Sequence, residues 1–331
     1  MEIGSSQNIN VKRIGTITYT SSDRMVATIS ADGLISAKGI GTTTITVIAS
    51  GNDIYNSATQ KFEIVVVPKI TMLNSISNVS SGVKLAWTVN NNATGYILYR
   101  KTGNGSWSRI ADIKNGSTVS YIDKTAKSGT TYTYTIRAYS GKYMSDWKTT
   151  KTIKRLADPT VSSASNITAG VQVKWDKTAG ATGYVVYRKT GTGSWSRLAT
   201  IKSGSTTSYT DKSAKSGTNY SYTVRACDGS TMSDWHNSKT VKRLSNPAVT
   251  SASKTSNGIN VKWSKVTGAT GYVVYRKTAN GSWSRIANIK SGSTTSYIDT
   301  KASKGVTYTY TVRAYNGSTM SSFNSTKSAK R

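Results

Sequence analysis

The nine residues TGYILYRKT at 94–102 return as TGYVVYRKT at 182–190 and again at 270–278. Working outward from them, GSWSR recurs at 105–109, 193–197 and 281–285, and VSYID at 119–123 recurs as TSYTD at 207–211 and TSYID at 295–299. The period is 88 residues throughout: Trp87, Trp175 and Trp263 keep it, as do Trp107, Trp195 and Trp283, then Trp147, Trp235 and Phe323, and Arg137, Arg225 and Arg313. A fixed period of this kind means a serial array of like units. Inside a unit, apolar side chains alternate with period two, as at Val171, Val173 and Trp175 and at Tyr220, Tyr222, Val224 and Ala226, between clusters of Gly, Ser and Asn. That spacing predicts about seven short strands per unit, folded as a two-sheet sandwich whose alternate side chains fill one core. Composition agrees, because Thr, Ser, Gly, Lys and Tyr dominate and the apolar residues come as short Val/Ile/Tyr runs.

Each repeat resembles a fibronectin type III domain. The residues that carry the resemblance are the Trp of the second strand (Trp87, Trp175, Trp263), a Gly-Tyr opening the third (Tyr96, Tyr184, Tyr272), and GTTYTYTIRA, GTNYSYTVRA and GVTYTYTVRA near the end of each unit. The resemblance implies that Tyr132, Tyr220 and Tyr308 are tyrosine corners, buried rings whose hydroxyls tie a strand connection to backbone. The family's usual Leu-x-Pro before that corner is replaced by AKSG or ASKG. All three prolines, Pro68, Pro159 and Pro247, fall near the joints between units, where a missing N–H is harmless.

Residues 1–68 are of another kind. Ser21-Ser22-Asp23, Val26-Ala27-Thr28, Asp32-Gly33-Leu34-Ile35-Ser36-Ala37 and Gly41-Thr42-Thr43-Thr44-Ile45 resemble the group 2 bacterial Ig-like domain of intimin- and invasin-like adhesins. Asp32-Gly33 reads as a two-residue hairpin turn, and Gly41 as the entry to the next strand. The match fades upstream of Tyr19, so a shortened first strand and a longer parent chain are expected. The expected fold class is therefore all-β, as tandem immunoglobulin-like β-sandwiches: an Ig-like module at 1–68 and fibronectin type III-like modules at 69–156, 157–244 and 245–331. The two resemblances together imply a surface or secreted protein of Gram-positive, Firmicutes-type bacteria.

Catalytic constellations are missing. The sole histidine, His236, stands where the sister repeats have Lys148 and Asn324, and the sole cysteine, Cys227, stands where they have Tyr139 and Tyr315. Residues 69–331 hold no glutamate and the third repeat holds a single carboxylate, Asp299. A glycosidase needs two carboxylates and a calcium site several oxygen donors, so neither can recur in these units. Asp123, Asp211 and Asp299 read as turn-closing residues. No catalytic, cofactor or metal residue is expected, and no cofactor. No apolar run approaches the roughly 20 residues of a membrane helix, and Met1–Ser6 lacks the pattern of a secretory signal, so export would require a mature fragment or another route.

The formal charge of +30 is unevenly placed: residues 1–68 are neutral overall, and the three repeats carry +11, +7 and +12. A surface that repels itself at this density suits an anionic neighbour. The expected contributors are Arg100, Lys101 and Arg109, their counterparts Arg188, Lys189 and Arg197, and Arg276, Lys277 and Arg285. Anionic cell-wall polymer, mucin or another glycan would serve as partner, nucleic acid would bind only non-specifically, no membrane insertion is foreseen, and the chain itself is expected to be monomeric. Trp107, Trp195 and Trp283 read as cross-strand packing residues or as flat rings of a carbohydrate-binding face; Trp147 and Trp235 beside Arg137 and Arg225 resemble the Trp–Arg ladders of cytokine-receptor fibronectin domains. The functional expectation is a non-catalytic extracellular spacer and adhesive array, the alternatives being the carbohydrate- or cell-wall-binding tail of a secreted hydrolase and a phage virion decoration protein. Cys227→Tyr and His236→Asn, copied from sister repeats, should shift the thermal midpoint by no more than about 2 °C; a drop of many degrees in either variant would contradict the absence of a special role in folding.

Overall fold

The computed structural model describes residues 1–12, 15–147 and 149–331. Every regular element among them is a strand, and no helix is long and apolar enough to cross a membrane. The chain divides into two compact units, Met1–Arg155 and Leu156–Arg331.

In the first repeat Leu73–Val79, Gly82–Trp87 and Ser120–Asp123 form a three-stranded antiparallel sheet with Gly82–Trp87 at its centre. A second sheet runs Ser108–Ile113, Gly95–Thr102, Thr131–Ser140, Tyr143–Met144, and Thr150–Lys154 also pairs with Thr131–Ser140. The second and third repeats keep the same order. Side chains of alternate parity meet between the sheets. Along Thr131–Ser140, Tyr132, Tyr134, Ile136 and Ala138 are buried, and they join Val83, Leu85, Trp87, Tyr96 and Leu98 in one core. The Trp87 and Tyr96 rings meet edge to face at 5.4 Å, an arrangement that satisfies the ring quadrupoles. Corresponding cores fill the other two repeats, and Leu244 belongs to that of the third, one residue before the joint expected from the sequence.

The Ig-like region is built of two three-stranded sheets. Ser6–Asn8, Leu34–Ala37 and Ala27–Ile29 form one, and Ile17–Ser21, Gly41–Ala49 and Ala58–Val66 the other. The first strand is short, as expected: the three residues Ser6–Asn8 pair onto Leu34–Ser36 and give the first sheet its edge. One sequence expectation changes here. The Asp32-Gly33 hairpin is a three-residue loop, Ala31 to Gly33: the Gly33 amide donates to the Ser30 carbonyl (3.0 Å) and the Ser30 amide to the Leu34 carbonyl (3.1 Å). Gly33, at φ +85°, supplies the left-handed residue that closes a type I turn with a bulge.

The tyrosine corners are present. The hydroxyls of Tyr132, Tyr220 and Tyr308 accept from the amides of Lys127 (3.1 Å), Lys215 (3.1 Å) and Ser303 (3.3 Å).

One polar cluster bridges the two sheets of every repeat. Asp123 Oδ1 closes its own turn by accepting from the Thr125 amide (3.0 Å), as the sequence suggests. Its Oδ2, however, accepts from Arg100 (2.6 Å) and from the Tyr134 hydroxyl (2.8 Å), both on the opposite sheet. Asp211 takes Arg188 and Tyr222, each at 2.8 Å, and Asp299 takes Arg276 and Tyr310, each at 2.8 Å. The carboxylates are 1% exposed, and such a buried charge is tolerable only because it is paired and fully hydrogen-bonded.

Burial alone would raise the Asp123 carboxyl, but hydrogen bonds from Thr125, Tyr134 and Arg100 outweigh it and hold the group below the usual carboxylate range; Asp211 is held down in the same way by Ser213, Arg188 and Tyr222. Burial and the adjacent carboxylate push the phenols of Tyr134, Tyr222 and Tyr310 far above theirs. A depressed carboxyl stabilises the fold fully above its unfolded value of about 3.9 and loses that contribution as pH falls further; a raised phenol stabilises it below about pH 10 and loses it above. Thermal midpoints should therefore be level from about pH 5 to 9 and fall on both flanks. Asp211→Asn should cost roughly 3 kcal/mol or more, because it leaves Arg188 without its counter-charge inside the sandwich. A variant as stable as the parent across that range would disprove the structural role of the cluster.

Candidate functional site

The period of two along Gly95–Thr102 splits the Arg-Lys pair between faces. Arg100 lies opposite Tyr134 in the sheet and turns inward to Asp123, stacking over the Tyr132 ring at 4.6 Å. Arg188 and Arg276 do the same over Tyr220 and Tyr308, at 4.8 and 4.5 Å. Three of the nine basic residues singled out in the sequence are thus used up inside the sandwich, which corrects their assignment to a polyanion surface. Lys101, Lys189 and Lys277 fall on the outer face, each with its ammonium 5.2 Å from the ring centre of Trp107, Trp195 or Trp283.

Arg109, Arg197 and Arg285 are exposed on the neighbouring strand, in register with Tyr99, Tyr187 and Tyr275. They differ in what holds them. Arg109 forms an ion pair with Asp112, whereas Arg197 donates to the hydroxyl of Thr200, the residue at the corresponding position, and has no ion pair among the described residues. In the third repeat that position is Asn288.

A break in the last strand positions the rest of the face. Strand Tyr143–Met144 stops at Ser145, whose buried Oγ accepts from the Ala138 amide (3.0 Å) in place of a strand carbonyl. The Ser145 carbonyl in turn accepts from Arg137 Nε at 2.6 Å. Pairing resumes at Thr150–Lys154, and Thr135 donates to the Thr149 carbonyl (2.8 Å). Trp147 falls in this break: its ring lies 4.6 Å from Tyr99, 5.9 Å from Trp107 and 5.0 Å from the Arg137 guanidinium. Repeat two places Trp235 4.5 Å from Tyr187, 6.3 Å from Trp195 and 5.1 Å from Arg225. Repeat three places Phe323 5.0 Å from Tyr275, 6.2 Å from Trp283 and 4.8 Å from Arg313.

The outer face of each five-stranded sheet is therefore a row of Lys, Trp, Trp or Phe, and Arg laid over a Tyr. Packing and display coexist in it. Trp147, Trp235 and Phe323 each leave 40% of their surface open, although they clamp the sheet beneath. The sequence paired Trp147 and Trp235 with Arg137 and Arg225, as the structure has them, but left Trp107, Trp195 and Trp283 apart; that union needed the strand break, whose sequence signal is the Ser recurring at 145, 233 and 321.

No group of His, Cys, Asp and Glu able to hold a metal occurs among the described residues. Cys227 is half-buried, with its thiol pushed up by burial and by Asp228, the reverse of what a nucleophile requires. A Cβ at Gly95, Gly183 or Gly271 would strike the carbonyl of Ile113, Ile201 or Ile289 at 2.3–2.4 Å, so the backbone itself requires glycine in each repeat whether Tyr139, Cys227 or Tyr315 lies beside it. His236 is exposed and lines a groove described below. A groove of about 440 Å³ where the chain enters the first repeat is walled by Lys69, Met72, Val89 and Asn90–Asn92, with Lys69 the one titratable side chain among its lining residues.

Residues 5–54 match the bacterial Ig-like domain, group 2. Among curated proteins, exoglucanase B of Cellulomonas fimi is 32% identical over 149 residues, covering 40% of this chain; the chain spans only 12% of that protein's length. Similar solved structures are the FN1–FN3 domains of chicken CNTN1 (18% identity, 80% of this chain and 98% of that one, TM-score 0.28) and a two-domain fibronectin type III segment of chicken tenascin (22%, 53% and 98%, TM-score 0.31). The chain is all-β, in tandem two-sheet sandwiches, of which the first carries the match to the bacterial Ig-like family.

The stacking of Lys189 on Trp195 is open to water and should couple the two residues by about 0.5–1 kcal/mol. A double-mutant cycle of Lys189→Met and Trp195→Leu, followed by chemical unfolding, measures that coupling; strict additivity would show the two side chains to be merely adjacent.

Proposed function

We propose that this chain is a non-catalytic binding array acting outside the cytoplasm, whose three fibronectin-like repeats each offer the cation-and-aromatic outer face to anionic polymers or glycans. The observation that carries the reading is the threefold recurrence of Lys, Trp, Trp or Phe, and Arg on one sheet face, in a region that holds all of the net charge of +30. Cations held over aromatic rings remain charged and present flat apolar surface beside the charge, which suits a polymer of rings bearing acidic groups. Like sites in series convert weak contacts into avidity. The joints expected at 68, 156 and 244 make the neutral Ig-like module a spacer ahead of this array.

The likeness to a protein named as an exoglucanase favours a second reading, in which the same array is the accessory region of a secreted hydrolase and holds it on a polysaccharide. Both readings place the binding function on the repeats. They part on ligand charge, since an accessory region for glucan would retain neutral polymer.

The deciding experiment is retention of the chain on heparin, teichoic acid and cellulose over a salt series. Retention on the two polyanions that falls steeply with salt is the expected result, because interactions between exposed charges are screened over about 8 Å at physiological ionic strength. The combined variant Lys101→Gln, Lys189→Gln and Lys277→Gln should elute at lower salt than the parent. Salt-independent retention on cellulose alone would favour the second reading, and no retention on any of the three would overturn both.

A further inference from the structure

The three faces are not equivalent, and the difference assigns them different work. We infer that the second repeat carries the principal subsite, a groove that takes a pyranose ring bearing a carboxylate, and that Asp112 silences the corresponding face of the first repeat. This rests on the proposed binding role of the array and names the ligand chemistry within it.

In the second repeat Trp195, Thr223, Trp235, His236, Asn237 and Ser238 line a groove of about 290 Å³. That is near the lower end of the range for small-molecule sites, the size of a ring rather than of a protein surface. Two indoles 6.3 Å apart and 32° from coplanar form its apolar wall. Thr223 and Asn237 are spent on the fold: the Thr223 hydroxyl donates to the Asn237 carbonyl (2.7 Å), and the Asn237 side chain bonds both backbone groups of Val161. His236 and Ser238 make no hydrogen bond among the described residues and leave polar groups at the rim. A wall of flat rings with a few free polar groups fits the alternating apolar faces and hydroxyl edges of a sugar.

Charge names the kind of sugar. Lys189 stands over one indole and Arg225 over the other, and Arg197 lies on the neighbouring strand opposite Tyr187, on which Trp235 rests. Of the two carboxylates beside the groove, Asp234 accepts from the Trp235 amide and Asp158 from the Asp234 amide, each at 2.9 Å. In the first repeat the position of Thr200 is Asp112, which pairs with Arg109 and accepts from the Tyr139 hydroxyl at 3.1 Å. The Arg109 charge is matched by Asp112, so this corner of the first repeat carries no net charge. Neutral Asn288 leaves the third repeat open to anions, but Phe323 and Asn324 replace Trp235 and His236. Uronate should thus be bound most tightly at the second repeat, less at the third, and least at the first.

The test uses the whole chain and calorimetric titration with oligogalacturonate, with cellohexaose and polyglutamate as neutral-sugar and sugar-free anion arms at one salt concentration. Thr200→Asp places a surface charge without disturbing the core and should weaken oligogalacturonate binding about fivefold. Trp235→Ala should weaken it about tenfold while Trp147→Ala changes it less than about twofold, and Asp112→Thr should strengthen it. Equal losses from Trp147→Ala and Trp235→Ala, or no effect of Thr200→Asp, would overturn the grading of the repeats. Polyglutamate bound as tightly as oligogalacturonate would overturn the sugar subsite yet leave the electrostatic array standing. Cellohexaose bound as tightly would overturn the requirement for charge. Binding of none of the three probes would overturn this inference, while retention on heparin or teichoic acid would still sustain the array.

Discussion

One buried carboxylate per repeat organises everything around it. Asp123, Asp211 and Asp299 end a strand of the smaller sheet and take an Arg and a Tyr from the larger one, so a single charge joins the two halves of each sandwich. With the carboxylates 1% exposed the pairing is strongly constrained, because an unmet charge there costs several kcal/mol. The third repeat makes the dependence plain: Asp299 is its only acidic residue, and it is spent inside.

The same cluster decides what the outside displays. Once Arg100 is committed inward, the pleat sends Tyr99 and Lys101 to the opposite face, and cross-strand neighbours bring Thr133, Thr135 and Arg137 beside them. Structure and binding surface are therefore two sides of one strand pair. Interior pairing removes one Arg and one Asp per repeat, equal and opposite charges, so the positive excess is that of the remaining Lys and Arg over the two, four and zero carboxylates left in the three repeats.

Internal duplication lets the repeats serve as controls for one another. Interactions within the sandwich barely vary, with Tyr to Asp distances of 2.8 Å in all three. The outer face changes in chemical character, at Asp112, Thr200 and Asn288, at Trp147, Trp235 and Phe323, and at Tyr139, Cys227 and Tyr315, whereas core positions such as Leu98, Val186 and Val274 change among apolar residues. Substitution at a packed bridging cluster is punished, whereas an exposed face is free to change its affinity.

The all-β class, the 88-residue period and the inward tyrosines of Thr131–Ser140 could be read directly, because period two along a chain is a local property that survives any tertiary arrangement. The fate of Arg100 could not. Its sequence neighbour Lys101 has the same charge, and only the stacking of two sheets, which brings Asp123 from 23 residues away, tells the two apart. The Asp32-Gly33 loop was misjudged by one residue because hairpin length depends on strand register, which the opposite strand settles. The union of Trp107 with Trp147, 40 residues apart, likewise waited on a broken strand and a buried serine. The sequence by itself determined the repeats, the sandwich class and where the charge resides, since these follow from composition and spacing. Only the tertiary structure decided which cations are spent within and which stand over aromatic rings, because that is a matter of which faces meet across some 10 Å of core.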